Sequence, residues 1–283
     1  MKHSFRTWFL GITTIFALLA LAASTYAWFS SNRAVSTNVA TARTGDETLE
    51  LQLSRSGGSS FQSEETVPIQ QVDQTDAENL LPVSTSDLSD FVYAPVTNAD
   101  MASQFSLVQN EAYYYHGRIY LRAVGEGWPD GSRLNLYLDQ SDGVLGQNVN
   151  GRLLSAARLG LVFDEDSQSS VILRLSEEEG SENQRVYNTV VNGQTLGNNQ
   201  VLSYQNGTVQ AVADPSVPVA EYTISFGDNE INLPDRNLLS MEFNRIYPLD
   251  IYFYLEGCDP DCSNELSYDA ADLHLAFYGV LSQ

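Results

Sequence analysis

Leu249-Asp250-Ile251-Tyr252-Phe253-Tyr254-Leu255-Glu256 alternates large apolar residues with polar or amphipathic ones without a break. Side chains of a strand point to opposite faces in turn, so Leu249, Ile251, Phe253 and Leu255 share one face. Asp250, Tyr252, Tyr254 and Glu256 share the other. The same period of two returns at Leu273, Leu275 and Phe277, at Ile119, Leu121 and Ala123, and at Leu134, Leu136 and Leu138. Val201–Tyr204 and Thr208–Val212 flank Gln205-Asn206-Gly207, and Asn-Gly is the strongest short-range hairpin signal. Ser84–Phe91, with its Ser and Thr caps, predicts a short helix, and Arg152–Phe163 a short helix running into a strand. Roughly ten strands with short turns predict an all-β chain, an antiparallel β-sandwich of jelly-roll-like form. Polar surface insertions are expected near residues 54–110 and 140–200, where Ser, Gly, Gln and Glu accumulate.

Composition narrows the partners. The chain has 283 residues, 43% of them hydrophobic and 11% aromatic, enough for a substantial core. Tyrosine (15) and phenylalanine (12) favour strands. A formal net charge of −22 excludes nucleic acid, because phosphate neutralisation requires basic surface. The only lysine is Lys2, so lysine-based covalent polymerisation is excluded for the rest of the chain.

The first residues read as export machinery. Lys2, His3 and Arg6 precede an apolar run from Trp8 to Ala23, and Thr25-Tyr26-Ala27 fits a small-x-Ala cleavage site. Residues 1–27 are therefore expected to be a signal peptide cut between Ala27 and Trp28. Left uncut, Trp8–Phe29 is long enough to anchor the chain as a membrane helix. Residues 28–47 form a junction containing the β-prone run Ala34, Val35, Ser36, Thr37, Asn38, Val39 and Ala40, and residues 48–283 form a single β domain.

Chemistry-bearing clusters are few. Cys258 and Cys262 sit in Gly257-Cys258-Asp259-Pro260-Asp261-Cys262. In an exported chain the simplest reading is a local disulfide, with separate thiols as the alternative. Two thiols at this spacing, without nearby histidine, make a poor zinc set. Glu256, Asp259, Asp261 and Glu265 crowd the same turn and are candidates for calcium, which takes hard oxygen ligands, although a solvated acidic face is the commoner outcome. No other cofactor is expected. His-Glu-x-x-His and Gly-x-Ser-x-Gly are absent, and His3, His116 and His274 are far apart in sequence, so no catalytic residues are assigned. Tyr252, Tyr254 and Tyr278 on polar strand faces form either an external binding patch or, more simply, packing across strands or under an insertion.

Two stretches carry a family resemblance. One is the apolar segment followed by Thr25-Tyr26-Ala27-Trp28-Phe29-Ser30, a Ser/Asn-rich dozen and the strand Thr48–Leu53. The other is Tyr252–Gly257, Asp259-Pro260-Asp261-Cys262 and Leu273–Phe277. Together they resemble the TasA/camelysin family of secreted bacterial proteins, though this chain has Ala42-Arg43-Thr44-Gly45-Asp46 where the family runs through Ala-Gly-Thr. The resemblance implies export through a dedicated signal peptidase and a structural role on the cell surface or in the biofilm matrix. It also implies fibres built from copies of the chain, alone or with other matrix components. Strand addition through Ala34–Ala40 is the expected mechanism, with Val35, Thr37 and Val39 facing the partner's core. The alternatives are a membrane-anchored adhesion or carbohydrate-binding module and a camelysin-type metallopeptidase.

Overall fold

The computed structural model describes residues 34–39, 41–44, 47–56, 60–62, 64–68, 80–94, 105–109, 113–128, 131–138, 144–150, 152–165, 169–175, 190–191, 194–197, 199–218, 237–262, 266 and 270–282. The expected signal helix and the sites at Ala27, Trp28, Ala40 and Glu265 lie outside them. Among the described residues no helix is long and apolar enough to cross a membrane.

The chain is built from strands. In order they are β1 (Ala34–Val39), β2 (Thr41–Thr44), β3 (Glu47–Ser54), β4 (Glu64–Pro68), β5 (Pro82–Val83), β6 (Val92–Tyr93), β7 (Ser106–Leu107), β8 (Tyr115–Glu126), β9 (Arg133–Leu138) and β10 (Val144–Asn150). The short helix α1 (Leu153–Ala156) follows. Then come β11 (Ala157–Phe163), β12 (Ser170–Arg174), β13 (Val190–Val191), β14 (Gln194–Thr195), β15 (Gln200–Gln205), β16 (Thr208–Ala213), β17 (Val217–Pro218), β18 (Leu239–Glu242), β19 (Ile246–Glu256) and β20 (Ala270–Ser282).

Two sheets dominate. One has six strands in the order β18-β9-β20-β1-β4, with β10 also on β20; the other has eight in the order β17-β12-β11-β19-β8-β3-β2, with β5 beside β19. Pairing is antiparallel except at β1–β20, β12–β17 and β5–β19. The alternation seen in the sequence explains the core. Leu134, Leu136, Leu138, Leu273, Leu275 and Phe277 of the first sheet share one buried cluster with Leu51, Ile119, Leu121, Leu159, Leu249, Ile251 and Phe253 of the second. Each such side chain contributes about 1.5–3 kcal/mol by leaving water.

Three local features depart from, or sharpen, the sequence reading. The stretch expected as an insertion near 140–200 supplies β10, β11 and β12, and β11 is a central strand between β12 and β19. The helix expected over Ser84–Phe91 is instead a non-helical turn. Thr85 Oγ1 takes the Leu88 N–H (3.1 Å) and Asp87 Oδ1 takes the Ser89 N–H (3.0 Å), which holds Leu88 at φ 62°. These side-chain acceptors compete with helical carbonyls for the same donors, and here they win. The Asn206-Gly207 hairpin forms as expected, with both residues at positive φ and Gln205 opposite Thr208.

From Leu249 onward β19 is largely buried on both faces. Its inner face enters the shared core, and its outer face is covered by a second cluster of Val83, Leu88, Phe91, Tyr114, Ile172 and Tyr254. Tyr252 and Tyr254 thus pack beneath Phe91, at ring separations of 5.8 and 5.4 Å. Tyr278 stacks on its cross-strand neighbour Tyr137 at 5.3 Å. Packing, the simpler of the two readings for these tyrosines, is the arrangement found.

Candidate functional sites: the first strand and the acidic turn

β1 lies between β20 and β4. Val35–Val39 run parallel to Leu273–Phe277, and Ala34–Asn38 run antiparallel to Glu64–Pro68. The expected donor residues Ala34, Val35, Ser36, Thr37, Asn38 and Val39 are therefore a sheet strand within their own chain, next to its last strand. Only position 40 separates β1 in the six-stranded sheet from β2, which pairs with β3 in the eight-stranded one. β20 is shared lengthwise, because β10 pairs with Ala270–Leu275 and β9 with Phe277–Ser282, while β1 pairs with Leu273–Phe277.

The turn after β19 is interior rather than a solvated face. Glu256, Cys258, Asp259, Asp261 and Cys262 are all buried. Asp259 meets Arg158 of β11, with Nη2–Oδ2 at 2.7 Å, and its Oδ1 accepts the Asp261 N–H at 2.9 Å. Arg158 Nη2 also lies 3.8 Å from Asp214 Oδ2, which Arg174 of β12 approaches at 2.7 Å. Asp261 faces Arg152 at 3.6 Å. Burial alone would raise the Asp214 carboxyl, but Arg158, the Ser216 N–H and Arg174 together hold it below the usual carboxylate range. Glu256 Oε1 accepts the Cys258 N–H at 3.0 Å. Of the expected calcium candidates, Asp259 and Asp261 are engaged by arginines and Glu256 by a backbone donor. Among the described residues no group of three or more His, Cys, Asp and Glu could hold a metal ion.

The two cysteines of the expected disulfide stand as separate buried thiols. Cys258 packs with Val92, Val191, Leu196 and Leu202, its Sγ 3.6 Å from Ser84 Oγ, while Cys262 packs in the main core. Burial, helped by Asp259 and Glu256, pushes the Cys262 thiol well above its ordinary value, so it is a poor nucleophile.

A third polar group, not anticipated from the sequence, sits on the outer face of the eight-stranded sheet. Asp250 of β19 is gripped by Arg118 of β8 through Nε–Oδ1 and Nη2–Oδ2 contacts of 2.7 Å each. Nε2 of His116 lies 2.9 Å from the same Oδ1, and its ring stacks on Tyr252 at 4.6 Å. Register makes this cross-strand set, since Arg118 opposes Asp250 and His116 opposes Tyr252. These contacts form a cross-strand ion-pair ladder. The available signal for the interior cluster was Arg158 itself, a cation in the apolar run Ala157-Arg158-Leu159-Gly160-Leu161.

No family model, no curated protein and no solved structure matches the chain.

Proposed function

We propose that the chain is a secreted structural protein of the bacterial cell surface or extracellular matrix, an antiparallel β-sandwich whose copies join by strand addition. The observation that supports this reading is the seat of β1. A short first strand, held by backbone pairing to β20 on one side and β4 on the other, can be replaced by the same strand of a second copy in the same register. Because β2 begins at Thr41, β1 can be exchanged while β2 stays on its own sheet. Without β1, the paired edge of β20 would present unpaired N–H and C=O groups, the usual template for another chain. The acidic composition keeps unassembled subunits apart and makes assembly favour raised salt.

The test removes Asn32–Ala42 and images the exported product by electron microscopy. The reading expects a folded monomer without filaments; filaments of normal appearance from the deletion sink it. N-terminal sequencing of the same material separates the two modes of display. A start at Trp28 fits a released subunit. Retention of Met1–Ala27 favours the alternative, a membrane-anchored adhesion module.

A further inference from the structure

We propose that Glu256 is a proton-operated lock that closes the junction between the Gly257–Cys262 turn, the Ser84 segment and β15 when protonated and loosens it when ionised. The lock does not depend on how copies assemble. Glu256, 1% exposed, accepts the N–H of Cys258 at 3.0 Å and the hydroxyl of Ser84, whose Oγ in turn accepts the N–H of Leu202 at 2.8 Å. One carboxyl therefore links the end of β19, the turn that follows it, the segment after β5 and the strand β15.

The charges around it already balance. Arg158 of β11, Arg174 of β12 and Arg152 before α1 are matched by Asp259, Asp214 and Asp261. Among the described residues, Tyr254 on β19, Asp87 in the Ser84–Phe91 turn and Cys262 are further titratable neighbours of this cluster. An ionised Glu256 adds a negative charge beyond these three matched pairs, in a site where Glu256 is buried from water. Protonation removes that surplus and keeps the acceptor oxygen that Cys258 uses.

Burial accordingly pushes the Glu256 carboxyl up from 4.5 to about 7, even with Arg158, Ser84 and the Cys258 N–H pulling the other way. Because the folded value is raised, the contribution is full below pH 4.5 and is lost as pH rises through about 7. Linkage between these two values gives about a tenfold loss of closed state between roughly pH 6 and 8.5.

Hydrogen exchange of the full chain tests this at the Leu202 and Cys258 amides, expressed as protection factors so that the intrinsic pH dependence drops out. The wild-type factors are expected to fall about tenfold over that interval and those of Glu256→Gln to stay level. Level wild-type factors, or a parallel fall in the variant, overturn the proposal. Should the variant not fold, NMR titration of the Glu256 carboxyl carbon in the wild-type chain decides: a midpoint above about pH 6 supports the lock, and a lower one overturns it.

Discussion

Arg158 and Asp259 form a salt bridge of 2.7 Å in which the two side chains are only 1% and 0% exposed. Two ions out of water recover their desolvation chiefly through each other, so removing one leaves its partner undercompensated. Arg158→Ala is expected to cost about 3–5 kcal/mol in urea unfolding. Arg158→Met combined with Asp259→Asn is expected to cost less than the sum of the single changes, because the amide oxygen of the substituted side chain can still accept the Asp261 N–H, as the Asp259 carboxylate does. Additive single and double costs would show that the pair does not act as a unit.

The β15–β16 hairpin rests on backbone chirality at two positions. Asn206 sits at φ 51° and Gly207 at φ 82°, the left-handed pair that lets a two-residue turn follow the strand twist. Nothing crowds Gly207, so a methyl group there meets no neighbour and the cost is conformational alone. Gly207→Ala is expected to lose about 1–2 kcal/mol in thermal unfolding while leaving the rest of the fold intact. An unchanged melting temperature would mean that the turn relaxes to another type.

What the sequence disclosed follows from what a period of two can report. Alternation at Leu249–Glu256 identifies a strand and the face that enters the core, and it did so here. It says nothing of what covers the other face. Asp250, Tyr254 and Glu256 alternate like solvated residues, yet all are buried: the segment carrying Val83, Leu88 and Phe91 packs on Tyr254, Val83 pairs opposite Glu256, and His116 and Arg118 engage Asp250. The acidic turn misled for a related reason. Its cation is Arg158, 101 residues away, and no local spacing encodes that meeting. The Asn206-Gly207 turn was legible because its cause is contained in its own two residues. Arg152–Phe163 was legible as a short helix running into a strand, which is what α1 and β11 form, but the partners of Arg158 and Gly160 within that strand were not, because both are tertiary.

Gly160 faces Leu88, whose side-chain carbons occupy the space a β-carbon at position 160 would need. Leu88 has little room to retreat, being buried and fixed at φ 62° by the Thr85 and Asp87 acceptors. Gly160→Val is therefore expected to lower stability by about 1–3 kcal/mol through overpacking. Leu88→Ala in the same chain should recover part of that loss, measured as a double-mutant cycle. No recovery would place the strain elsewhere.

Asp250 gives the fold its acid sensitivity. Burial alone would raise its carboxyl, but hydrogen bonds from His116 and Arg118 outweigh burial and hold it below its ordinary 3.8. A depressed folded value means the unfolded chain takes up the proton first as pH falls. The contribution is therefore present above pH 3.8 and is lost as pH drops through the folded value. Asp250→Asn cannot carry the charge at any pH and leaves Arg118 with only Glu165 as an anionic partner among these contacts. The melting temperature of the wild-type chain should thus exceed that of Asp250→Asn at neutral pH, and the gap should narrow below about pH 4. Glu256→Gln run alongside should move the opposite way, gaining on the wild type as pH rises towards and past neutrality. A gap between wild type and Asp250→Asn that stays constant into strong acid would assign the loss to packing rather than to the ion pair.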